Sequence, residues 1–166
     1  MTARHAFPEP APALAEQLDH VLASVLHRCP RLVVDLPGPP RPKERPRAYV
    51  DDAGRARVRT PKATKGYEGH VRRVAGLVAL ARGWPAGGWE APGVRYVVRA
   101  EVVAESDLSD LDNVIKAAID GLEGPVLPND RRVLAVVAFK RVAGPAERPR
   151  ATLTIWALGP TGEKQP

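Results

Sequence analysis

A single cysteine, Cys29, stands in 166 residues, and an intramolecular disulfide is therefore excluded. His5, His20 and His27 show no metal-binding spacing with any cysteine partner. No apolar run approaches the roughly 20 residues that a membrane-spanning helix needs. The opening stretch MTARHAFPEPAP lacks the apolar centre of a signal peptide, so a cytoplasmic protein is expected. Lysine is scarce too: only positions 43, 62, 65, 116, 140 and 164 carry it, and arginine supplies the rest of the 25 basic residues. The preference for arginine runs with heavy Ala, Pro and Gly usage, as G- and C-rich coding produces.

What the chain does have is enough apolar material for one core. At 44% hydrophobic content it is expected to fold as a single domain. The formal net charge of +6 and pI near 9.9 suit a polyanionic partner, either nucleic acid or an anionic membrane surface. The charge is unevenly spread: between Arg41 and Lys62 eight basic residues face three acidic ones.

The first ten residues, rich in Pro and Ala, are expected to be disordered. Leu14, Leu18, Val21, Leu22 and Val25 then recur at helical spacing until Cys29-Pro30 stops them, which predicts an amphipathic helix in an N-terminal extension, residues 1–30. LVVDL at 32–36 reads as a short buried strand closed by the turn-rich PGPPRP. AYV and ARVRT flank the turn sequence DDAG, predicting a hairpin whose arginines project from one face. A helix is expected over 64–81, a flexible loop over RGWPAGGWEAPG, and a long strand over 94–104. Leu111, Val114, Ile115, Ala118, Ile119 and Leu122 mark a further helix closed by Gly124-Pro125. VLAVVAFK (133–140) and ATLTIWA (151–157) supply two more strands. The main domain is thus expected at 31–158, with a loose tail at 159–166.

The stretch DLDNVIK (110–116) places two aspartates, an asparagine and a lysine at the start of that helix. Helix capping explains Ser, Asp and Asn there, since their oxygens satisfy free first-turn N–H groups and their charge suits the helix dipole. Lys116, four residues after Asp112, could equally form a surface ion pair contributing a few tenths of a kcal/mol. Capping needs one aspartate, however, and two neighbouring carboxylates repel unless a cation lies between them; such hard oxygen ligands suit Mg²⁺ or Mn²⁺. Asp130, in LPNDRRV, is the candidate third ligand. A ten-residue helix is about 15 Å long and seven extended residues span about 23 Å, so the chain has the length to return to the helix's N-terminal end. Asp130 is otherwise an ordinary turn residue flanked by arginines.

DLDNVIKAAIDGLEG, a short loop and NDRRV, preceded by GPPRPKERPRAY and RTPKATKGYE, resemble the RusA family of Holliday-junction resolvases from about Leu32 to Ile155. The family pattern is Asp-x-Asp-Asn, a following Lys, an Asp-containing helix end and Asp-Asp-x-x-Val. Asn129 departs from it, standing where the family usually has aspartate. The resemblance implies an α/β (α+β) single domain with a mixed β-sheet and packed helices. It implies that Asp110, Asp112, Asp130 and Lys116 are the essential residues for cutting DNA, the three aspartates holding Mg²⁺ (or Mn²⁺).

On that basis Lys116 would orient the water or neutralise the scissile phosphate, and Asn113 would orient a neighbouring carboxylate. Arg41, Lys43, Arg45, Arg47, Arg57, Arg59, Lys62 and Lys65 are the candidate contacts to DNA phosphates, with a solvated charged face as the alternative. Tyr67 and His70 could also reach DNA, although Tyr67 lies on an apolar stripe and is better read as core. The expected function is a magnesium-dependent endodeoxyribonuclease that resolves four-way junctions in recombination and repair. A nuclease acting on flapped or other branched DNA, and a DNA-binding module without turnover, remain open beside it. Paired cuts on a four-way junction need two sites, so a homodimer is expected, with its apolar interface sought at 94–104 or 133–139.

Overall fold

The computed structural model describes residues 12–108 and 110–160. The leading segment and most of the tail expected to be disordered lie outside these residues. Helix α1 (Pro12–Leu26) leads into strand β1 (Arg31–Pro37), a hairpin of β2 (Arg47–Val50) and β3 (Ala56–Arg59), and helix α2 (Lys62–Ala81). Strand β4 (Arg95–Ala104), helix α3 (Leu111–Leu122), strand β5 (Val133–Val142) and strand β6 (Arg150–Leu158) follow. The main sheet has the order β1-β6-β4-β5: β6 runs antiparallel to both neighbours, while β4 and β5 are parallel and joined through α3. This is the mixed sheet with packed helices that the sequence leads one to expect. A parallel pair requires a crossover of this kind, which places α3 over the sheet beside the β5 edge.

Alternation of side chains along each strand builds two unequal cores. Leu32, Val34 and Leu36 of β1 join Tyr96, Val98, Ala100 and Val102 of β4 in the main cluster, which Tyr67, Val71 and Ala75 of α2 and Val114, Ala118 and Leu122 of α3 complete. The two helices approach closely at Gly121, where a Cβ would lie 2.6 Å from that of Val71. Residues of opposite parity face α1. Val97 and Trp156 pack with Leu26, supported by Leu22, and Arg99 donates to both carboxylate oxygens of Asp19 while lying over the Phe139 ring. β4 is therefore hydrogen-bonded on both sides and covered on both faces, so 94–104 is core and offers no edge for an interface. β5 is one edge of the sheet, β1 being the other, and it exposes Leu134 (66%) and Val136 (42%).

The segment after α2, expected as a flexible loop, is ordered. Trp84 is buried, donates its indole N–H to the Val126 carbonyl and meets Trp89 edge-on, the ring centroids 4.5 Å apart. Arg132 donates to the carbonyls of Trp89, Glu90 and Ala91, and the Tyr96 hydroxyl accepts from the Trp89 N–H. Burial pushes the Tyr96 phenol upward, against the pull of that bond. Gly88, at φ +79°, passes so close to the α3–β5 turn that a Cβ would sit 2.4 Å from the Val126 carbonyl oxygen. Four Gly and two Pro among the twelve residues predict mobility; the tryptophans and the arginine from a distant turn override it.

Candidate active site

Along α3, Asp112, Lys116 and Asp120 recur every four residues and so share one helical face. That face and strand β5 form the walls of an open groove of about 660 Å³. Its floor is apolar, from Leu111, Ile115, Ile119, Val133, Val136 and Ala138, and the polar residues lining it are Asp112, Lys116, Asp120 and Asp130. Asp112 and Lys116 are exposed, while Asp120 and Asp130 are half-buried.

Asp110 occupies the N-cap position of α3 in extended conformation, yet its side chain makes no capping hydrogen bond. The capping explanation of the acidic pair fails on this point. Its carboxylate instead accepts from the Asn113 side-chain amide at 3.4 Å, and Asp110 does not line the groove. Asn113 thus holds one carboxylate of the pair in place.

Asp130 opens a short 3-10 turn (Asp130–Arg132) immediately before β5. Its backbone N–H donates to the Glu123 carboxylate at 2.7 Å, and Asn129 accepts from the Arg131 N–H at 2.9 Å as the cap of that turn. An aspartate at 129 would accept the same bond, so the departure from the family pattern leaves the geometry intact. The expected return of the chain to the N-terminal end of α3 does not occur. Residues 123–129 fold into a tight turn held by Val126 and Leu127 N–H groups on the Leu122 carbonyl, and the parallel register places Val133 beside Tyr96, near the start of β4. Asp130 consequently stands at the C-terminal half of α3 with Asp120, which the helix rise separates from Asp112 by about 12 Å. Among the described residues, no three His, Cys, Asp or Glu side chains are gathered closely enough to hold an ion.

The basic stretch divides into engaged and open side chains. Lys43 donates to the Asp120 carboxylate, its backbone N–H donates to the Asn113 carbonyl at 2.9 Å, and the next N–H, of Glu44, donates to the buried Thr64 hydroxyl. This ion pair raises the Lys43 ammonium above its ordinary value, against the effect of burial. Lys43 is accordingly engaged with Asp120 from outside the groove lining and is not an open side chain like its neighbours. Arg41 faces Glu105 at 3.7 Å and Arg47 faces Glu44 at 3.5 Å. Arg57 and Arg55 share Asp51, whose carboxyl is held below its usual range by the Arg55 backbone N–H and then by the Arg57 side chain. Among the described residues Arg45, Arg59, Lys62 and Lys65 are exposed without a carboxylate partner. The hairpin register sets Arg47 opposite Arg59 and Tyr49 opposite Arg57, so its arginines do project from one face.

Tyr67 is core, with its hydroxyl buried and unpartnered and its phenol pushed up to about 12 by burial. His70 donates from Nε2 to the Pro37 carbonyl at 3.1 Å, tying α2 to the end of β1.

The groove thus gathers three carboxylates and one lysine, and the basic arm meets it through the bond of Lys43 to Asp120. The family model for endodeoxyribonuclease RusA matches residues 37–155. The chain belongs to the RusA family. A RusA-family chain is, at the level of class, a junction-resolving endonuclease, a hydrolase acting on DNA. No curated protein sequence matches this chain. Helix α1 precedes the matched region, and none of the helices is long and apolar enough, among the described residues, to cross a membrane.

Reasoning from sequence gave no role to Asp120 or Glu123 and gave Lys43 a different one. Asp120 was legible, because it continues the four-residue spacing of Asp112 and Lys116. The anchoring of Asp130 by Glu123 and the pairing of Lys43 with Asp120 depend on tertiary contacts that no local pattern carries.

Proposed function

We propose that this RusA-family chain is a Mg²⁺-dependent endonuclease that cuts four-way DNA junctions in recombination and repair, acting in the cytoplasm as a homodimer. The observation carrying the proposal is the groove whose polar lining is three carboxylates and one lysine. Its donor set is hard oxygen, which suits Mg²⁺ or Mn²⁺ over softer metals. Mg²⁺ is commonly held by one or two carboxylates with substrate phosphates completing its shell, so Asp112 and Asp130 need to reach the same phosphodiester and not each other. Asp112, with Asp110 beside it, and Asp130 are the carboxylates that would hold the ion. When bound, the ion supplies a water made nucleophilic near neutral pH and charge stabilisation on the phosphate.

The chain's own groups do the rest. Lys116, one turn beyond Asp112, places an ammonium where it neutralises charge on the scissile phosphate or orients the attacking water. Asn113 keeps Asp110 turned. Arg45, Arg59, Lys62 and Lys65, with Arg41, Arg47 and Arg57 in weaker or shared ion pairs, grip the flanking backbone. A two-fold pair of chains would present two grooves to the junction, and the β5 edge at the exposed Leu134, which does not line the groove, is an apolar surface available for pairing.

Purified protein and Mg²⁺ on labelled four-way, flapped and linear duplex DNA, with light scattering on the same samples, test the proposal. The expected result is symmetric paired cuts confined to the four-way substrate and a dimer on the junction. Preferential cutting of flaps by a monomer would overturn it.

A further inference from the structure

We infer that Asp120 and Lys43 form a charge-setting pair for the groove: Asp120 holds the Lys43 ammonium away from Asp130, leaving Asp130 open to a divalent cation. The inference rests on the reading of the groove as the cleavage site. Lys43 enters from outside the groove walls, and two backbone bonds fix where it stands: its own N–H on Asn113 and that of Glu44 on Thr64, a fully buried residue. From that fixed point the side chain reaches Asp120. The two side chains are 29% and 18% exposed, so solvent screens the pair only in part. An ion pair anchored in this way differs from the mobile surface pairs whose net value is near zero.

Charge at the groove follows from five groups. Asp112, Asp120 and Asp130 face Lys116 and Lys43, three carboxylates against two ammonium groups. Besides Asp120, the Lys43 ammonium lies in the field of Glu68 on α2 and, after it, of Asp130, and of these two only Asp130 lines the groove. Neutralising Asp120 therefore removes one negative charge and releases a competitor for Asp130. Removing the Lys43 charge does the reverse and leaves Asp120 and Asp130 as two free carboxylates at one end of the groove. The two changes act on a divalent cation with opposite sign.

Calorimetric titration of the full chain with Mn²⁺ alone, without DNA, reads this directly. Asp120→Asn is expected to weaken Mn²⁺ binding and Lys43→Met to strengthen it, each by roughly fivefold to tenfold for a partly screened unit charge at this range. The double variant is expected to return to the wild-type affinity, and Lys43→Arg to keep it. A purely structural role would lower affinity and melting temperature together in both single variants. Should either fail to fold, Asp120→Ser and Lys43→Gln repeat the same charge changes. Shifts of the same sign in folded variants, or no shift, would overturn the inference alone, provided the wild type binds Mn²⁺ and Asp112→Asn weakens it. Absence of Mn²⁺ binding by the wild type would overturn the inference and the cleavage-site reading together.

Discussion

At the scale of single residues, the Tyr67 hydroxyl is the one buried side-chain polar atom without a hydrogen-bond partner among the described residues. Leaving such a group unpaired costs about 1–3 kcal/mol. Tyr67→Phe removes the polar atom while keeping the ring that packs in the main core, so it is expected to raise stability by about 1 kcal/mol. Denaturant unfolding checks this, and a destabilisation of similar size would place an unseen partner on the hydroxyl. Asp110 illustrates a second residue-scale point. An aspartate at an N-cap position ordinarily accepts from the first turn, yet here the carboxylate turns to Asn113 and remains free for another role. Residue type and position alone favoured the commoner explanation; only the hydrogen-bond partner separates the two.

At the scale of elements, the hairpin β2–β3 exposes all eight of its residues and carries arginines on one face, as expected of a segment shaped by a ligand and not by a core. Replacing Arg45 and Arg59 by Ala is expected to weaken junction binding and lower the slope of log K against log salt by roughly 1–2, since each lost phosphate contact releases about one fewer counterion. Binding measured across a salt series checks this; an unchanged slope would return both residues to the solvated surface. Most elements were legible because their patterns are local. The Val-rich β4, the stripe of α3 and the DDAG turn each announce a strand, a helix and a hairpin within a few residues. What stayed hidden was long-range. The sheet order decides that β4 is central and β5 an edge, and the parallel register decides that Asp130 meets the C-terminal half of α3. The ordered loop after α2 was hidden likewise, since its stiffness comes from Arg132 and Val126, some forty residues away.

For the whole molecule, one surface ion cluster sets an acid limit. Arg141 and then Arg150 hold the Glu147 carboxyl down to about 2, below its ordinary 4.5. The folded-state value is depressed, so the stabilisation it brings is fully present above pH 4.5 and is lost as pH falls from there toward 2. Glu147→Gln is therefore expected to lower the melting temperature at pH 7, with the gap narrowing below pH 4.5 and closing only as pH falls below about 2, which thermal unfolding at several pH values would show. A gap that persists at low pH would mean that the carboxylate charge is not what stabilises the cluster. On the proposed reading the molecule keeps its two functions separable: basic residues outside the groove would bind DNA, and carboxylates inside it would support cleavage. The most direct measurement is cutting and binding of one labelled four-way junction by Asp112→Asn beside the wild type in Mg²⁺. The expected result is cleavage reduced by roughly three orders of magnitude or more, as loss of several kcal/mol of charge stabilisation entails, with junction affinity equal or higher because a negative charge near the phosphate is gone. Undiminished cutting by Asp112→Asn would contradict the assignment of the groove as the cleavage site.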